Sequence, residues 1–133
     1  MPAAEAMEVV QRTIEQQVGE DNVPNDVHVT VQKLTVSSDA TEILYFDDLW
    51  KTDLHARRYY YVVRIFDSKH HVYHIYVAHQ RDAELFIDAL YVLLDENKHL
   101  ATLADAERAQ RIRRVERQRK QLEIEIDVSA GSE

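Results

Sequence analysis

The chain has 133 residues, 45% apolar and 30% charged, and 24 acidic against 16 basic side chains give it a net charge of −8. That balance fits a globular domain rather than a disordered chain, large enough to bury about two thirds of the surface its unfolded form exposes. The lack of cysteine excludes disulfides, thiolate nucleophiles and cysteine-bound zinc, and two distant glycines, Gly19 and Gly131, make neither a phosphate-cradling loop nor a nucleophile elbow.

In chain order, Met7, Val10, Ile14 and Val18 recur at steps of three and four among Gln, Glu and Arg. This predicts a narrow-striped amphipathic helix, with Gly19 placed to end it in a left-handed conformation. The opening "MPAAEAMEVVQRTIEQQVG" has three glutamates and no basic leader, so no signal peptide is expected. No uncharged apolar run approaches membrane-span length, and a cytoplasmic protein with no membrane partner is the expectation. "EDNVPND" turns the chain. In "DVHVTVQKLTV" the period drops to two, with Val27, Val29 and Val31 on one face and Leu34 and Val36 on the opposite parity. A bulge at Gln32–Lys33 within one strand would reconcile them.

"SSDAT" reads as a turn, "EILYF" as a second strand, and residues 47–56, "DDLWKTDLHA", as the longest loop. "RRYYYVVRIFD" and "HVYHIYVAH" flank "DSKH" as a long hairpin of Tyr, Val and Ile. "RDAELFIDALYVLLDENKH" is apolar nearly all round, with its acids early and Lys98 and His99 at its end, as the helix dipole favours. Thr102 is placed to cap a third helix, with Asp105 at the capping-box position, running to about Lys120. "LEIEIDV" alternates Leu122, Ile124, Ile126 and Val128 with acids, the pattern of a half-exposed edge strand. Residues 129–133 are expected to be a disordered tail. The predicted order is α-β-β-β-β-α-α-β, a single α+β domain over residues 1–128 with helices packed on an antiparallel sheet.

Four histidines crowd "DSKHHVYHIYVAHQ", and His70 and His74 have the spacing of zinc ligands on a helix. The β-branched and aromatic residues around them favour a strand instead, which sends His71 and His74 to opposite faces. No metal site and no cofactor is therefore expected. The remaining question is whether His74 meets His55, Asp53 or Asp48, since Asp47, Asp48, Asp53 and His55 sit together on the loop.

Pairing the hairpin about "DSKH" sets Phe66 opposite His71 and Arg64 opposite Tyr73. Both faces of the hairpin (residues 57–79) are then too apolar for water. The helix over 80–98 would cover one, and a second copy of the chain in a dimer is the expected cover for the other. The run "RAQRIRRVERQRK", residues 108–120, holds seven basic residues and one acid, so the −8 chain divides into +6 there and −14 elsewhere. Its basic groups surround the helix, suiting an acidic protein partner or an intersubunit contact. The candidate partner-binding residues are Arg108, Arg111, Arg114 and Arg117 with Tyr60, Arg64 and Tyr73.

The function expected from the residues is a non-enzymatic, self-associating protein-interaction or regulatory module. One alternative is nucleic-acid binding by the Arg-rich helix and the hairpin tyrosines, not favoured because the run lacks interleaved aromatics and the rest of the chain is acidic. Another is a ligand-binding protein or enzyme with a pocket between the sheet and loop 47–56.

Overall fold

The computed structural model describes the backbone of residues 1–131 and the side chains of residues 1–119. Helix α1 (Ala3–Glu15) buries Ala6, Val9, Val10 and Ile14, a stripe at helical spacing. It stops at Gln16 rather than at Gly19. Gly19 instead adopts a φ of 90° at the start of a short 3-10 turn over Glu20–Asn22.

Strands β1 (Asp26–Val29), β2 (Lys33–Ser37) and β3 (Thr41–Tyr45) form an antiparallel three-stranded meander. The parity change that suggested a bulge at Gln32–Lys33 is a chain reversal. Val29 pairs with Leu34, and the Thr30 hydroxyl accepts from the amides of Gln32 and Lys33. The turn lacks glycine, so only this side-chain capping marks it.

Residues 47–56 are not a loop. After a 3-10 turn over Phe46–Asp48 they become strand β4 (Leu49–Ala56), antiparallel to β5 (Tyr61–Asp67), which pairs in turn with β6 (Val72–Val77). The fold therefore has two three-stranded sheets, ordered β1-β2-β3 and β4-β5-β6. Polar alternation hid β4 because it is an edge strand whose Lys51, Asp53 and His55 point away from the core.

The hairpin register is one residue from that expected: Phe66 pairs with Val72, and Arg64 with His74. Asp67 accepts hydrogen bonds from the amides of Lys69 and His71, and His70 takes a φ of 69°. This closes a three-residue reversal where a four-residue loop was expected, and a one-residue slip exchanges the faces of β6. Tyr61, Val63 and Ile65 thus share the inner face with Tyr73, Ile75 and Val77. Val63 and Ile65 are wholly buried there.

Helix α2 spans Gln80–Gly131. Ala83, Phe86, Ala89, Leu90 and Leu93 are wholly buried along one stripe, and with the inner faces of both sheets and α1 they make one core. Full burial of each of the larger apolar chains contributes about 1.5–3 kcal/mol. Asn97 donates to the Val31 carbonyl at 2.7 Å and Thr52 bonds the Tyr91 hydroxyl at 3.3 Å, fixing the helix against both sheets.

A second helix, a third helix and a final strand were expected where α2 runs on continuously. Residues 99–128 contain no glycine or proline, and extending an existing helix is far easier than nucleating a new one. The alternation over 122–128 is strong only with a neighbouring strand to pair with, and that stretch is helical. Residues 132–133, the end of the expected tail, lie outside the described residues. The chain comprises two compact units, Met1–Lys98 and His99–Glu133. Among the described residues no helix is long and apolar enough to cross a membrane.

Candidate interaction face

The face of β4–β6 turned away from the core is built of cross-strand rows. Lys51, Phe66 and Val72 form one, Asp53, Arg64 and His74 the next, and His55, Val62 and Tyr76 a third. β4 is irregular between Leu49 and Lys51, which makes Trp50 a bulged residue with no partner in the ladder. A bulge re-aims a side chain that strict alternation would send inward. Trp50 accordingly meets Phe66 edge-to-face at 6.5 Å while remaining 62% exposed. Lys51 Nζ sits 4.5 Å from the Trp50 ring and 4.8 Å from Phe66, and Arg64 lies 5.3 Å from Phe66.

The polar centre is held by Arg64. Its Nε donates to Asp53 Oδ1 at 2.8 Å and its Nη2 to Asp53 Oδ2, a bidentate clasp. Nη2 also lies 2.7 Å from His55 Nε2. The same ring nitrogen lies 3.5 Å from Asp53 Oδ1, so His55 Nε2 faces both the guanidinium and the carboxylate. The Arg64 hydrogen bond, opposed by partial desolvation, holds the Asp53 carboxyl below the usual range. The same bond pushes Arg64 further up.

Tyr60, half-buried before β5, packs edge-to-face on Tyr76 at 5.8 Å, and Val62 is buried on this face outside the main core. Exposed Arg57, Arg58 and Tyr59 occupy the β4–β5 turn, with Arg58 5.3 Å from the Tyr59 ring.

The expected site residues divide among three places. Arg64 and Tyr60 are on this face. Tyr73 is on the other side of the sheet, packed against the core, so the expected Arg64–Tyr73 contact does not form. Arg108, Arg111, Arg114 and Arg117 are exposed on α2 within the second unit, and Arg108 pairs with Asp105 at 3.4 Å.

The acids and histidines do not gather into one cluster. Asp53 and His55 meet around Arg64, and His74 is across the strand from it, exposed. Asp48 lies 3.7 Å from Lys69, Asp47 is exposed, and His71 Nδ1 bonds Asp67 at 3.0 Å. Among the described residues no three such groups are placed to share an ion. Residues 49–56 are a strand rather than a loop, and Asp48, in the turn before it, lines a cavity of about 390 Å³ with Asp67, His71 and Tyr73. Trp50 and Lys51 were missed as site residues; "LW" after two aspartates was the available signal, and only the bulge shows which way the ring points. No family model, no curated protein and no solved structure matches the chain.

Proposed function

We propose that the protein is an interaction module that self-associates through the outward face of β4–β6. The observation that carries this is Trp50, 62% exposed yet seated over Phe66 and Lys51 on a rigid sheet. Trp, Tyr and Arg dominate the binding energy of protein interfaces, and this face holds Trp50, Tyr60, Tyr76 and Arg64 together. The Arg64 charge is already matched by Asp53, which lowers the penalty for removing it from water. Val72, 43% exposed, extends the apolar surface at the edge of the sheet. A two-fold contact would bring two such faces together and give this hairpin the cover its composition calls for.

Light scattering after size exclusion tests it. The expected mass at micromolar concentration is twice the monomer's 15.6 kDa. Trp50→Ala, a change at an exposed side chain, removes one anchor from each copy and, at about 2 kcal/mol apiece, should weaken association about 1000-fold. A monomeric parent, or a dimer indifferent to Trp50→Ala, removes the proposal.

A second reading is favoured by one feature, the interleaving of cations with rings at Lys51–Trp50 and Arg58–Tyr59. Such pairs make stacking platforms for single-stranded nucleic acid. Titration with a labelled oligonucleotide at two salt concentrations separates the readings: salt-sensitive binding abolished by Trp50→Ala supports it, and no binding at low salt ends it.

A further inference from the structure

Among the described residues, the outer edge of β6 has a hydrogen-bonding pattern that the fold uses only at one end. Tyr76 donates its amide to Gln17 Oε1 at 3.2 Å, and its carbonyl accepts from the Val18 amide at 3.0 Å. Both groups therefore point away from β5, which makes Val62–Tyr76 a non-hydrogen-bonded pair of the ladder. Alternation along an antiparallel pair then turns the amides and carbonyls of His74 and Val72 outward too. The bond from the Asp67 amide to the His71 carbonyl fixes the same phase from the other end. No described strand pairs with β6 on that side.

That edge lines a groove shared with the other sheet. One cavity of about 410 Å³ is bounded by residues 72–76 of β6 together with Leu34, Val36 and Leu44. An adjoining one of about 390 Å³ shares Glu42, Val72 and Tyr73 with it and is also lined by Ile43 and Tyr45. β3 is itself the edge of its sheet. The Phe46 amide donates to the Gln32 carbonyl, and two-residue alternation from that point directs the backbone groups of Ile43 and Tyr45 outward.

Two open edges with an apolar floor between them form a seat for extended backbone. The rim is acidic: Asp21 and Glu42 are exposed on it, while the one lysine, Lys69, is paired with Asp48. Desolvation and then the negative charges of Asp67, Glu42 and Asp48 push the Tyr73 hydroxyl up, so the field reaches the groove floor.

We propose that the groove between β3 and β6 is a strand-addition site for an extended partner segment that alternates apolar residues with lysine or arginine. Main-chain bonds to Val72 and His74 would hold the segment, its apolar side chains would lie on Leu34 and Leu44, and its cations would face Asp21 and Glu42. A second copy of this chain fits less well, because the body outside residues 108–120 carries −14 and the groove is acidic. This site uses neither Trp50 nor Phe66 and stands independently of the sheet-face association.

The test uses the full chain and three fluorescent probes: a capped peptide alternating valine and lysine, the same peptide with glutamate for lysine, and one N-methylated on alternate amides. Anisotropy gives affinity, and amide hydrogen exchange reads Val72 and His74. The valine–lysine peptide should bind and slow exchange at both amides at least about tenfold, and both other probes should bind at least about tenfold more weakly. Glu42→Lys, a change at an exposed side chain, should reverse the preference between lysine and glutamate peptides. No binding, binding with unchanged exchange, or equal affinity for the N-methylated probe overturns the proposal. Protection that is present without peptide and rises with protein concentration also overturns it, since a second copy would then be the occupant.

Discussion

Asp67 ends β5 beneath its own turn, 5% exposed although Ser68 to His71 around it are open to solvent. Its Oδ1 accepts from the amides of Lys69 at 2.9 Å and His71 at 2.8 Å, and its Oδ2 from His71 Nδ1 at 3.0 Å. Burial pushes this carboxyl up, but the His71 amide, the His71 ring and the Lys69 amide together outweigh it, leaving the group below its ordinary range. Asp67→Ala removes three charge-assisted bonds. The released amides belong to exposed residues that water can reach, so the loss is the net value of the bonds rather than a full desolvation penalty. We expect about 2–3 kcal/mol and a melting temperature lower by about 10 °C. Asp67→Asn keeps an acceptor for the two amides and should lose about 1 kcal/mol.

The pH dependence has a definite sign. A carboxyl with a folded pKa below its unfolded value stabilises the fold above the unfolded pKa of about 4, and that contribution disappears as pH falls through the folded value. The gap between the parent and Asp67→Asn should therefore be constant near neutrality and shrink below about pH 4. Urea unfolding followed by circular dichroism measures both. A parent and Asp67→Ala within about 0.5 kcal/mol at neutral pH, or an Asn gap that persists in acid, would refute the reasoning.

His70 holds a φ of 69° in the same turn, so His70→Gly should raise stability by about 1 kcal/mol, visible as a higher urea midpoint with an unchanged slope. Gly19 has a φ of 90°, and a Cβ there would stand 2.9 Å from Asn22 Nδ2, which is bonded to the Val18 carbonyl. Gly19→Ala should lower stability by about 1–2 kcal/mol in the same measurement. Phe86, wholly buried on α2, should lose about 3–5 kcal/mol on change to Ala, and a cooperative transition unchanged within error would contradict its place in the core.

The candidate face shows how far the residues alone could lead. Arg64 and Tyr60 were identifiable as lying outside the main core because a cation and tyrosines in a strand-forming run have few uses there. The Asp53–Arg64–His55 clasp was not identifiable, since it joins residues 9 and 11 apart through strand pairing rather than local spacing. Tyr73 was assigned to the wrong company by a single residue of register.

By itself the sequence determined what local periodicity can encode: the α+β class, the amphipathic stripe of α1, the extended backbone of β5 and β6, and the burial of the helix after them. Tertiary structure alone decided that residues 49–56 are a strand, that Trp50 bulges outward, and that α2 continues through residues 122–128. The physical reason is that alternation and helical spacing are properties of neighbours along the chain. Register, edge pairing and the preference for helix over an unpartnered strand depend on backbone groups distant in sequence.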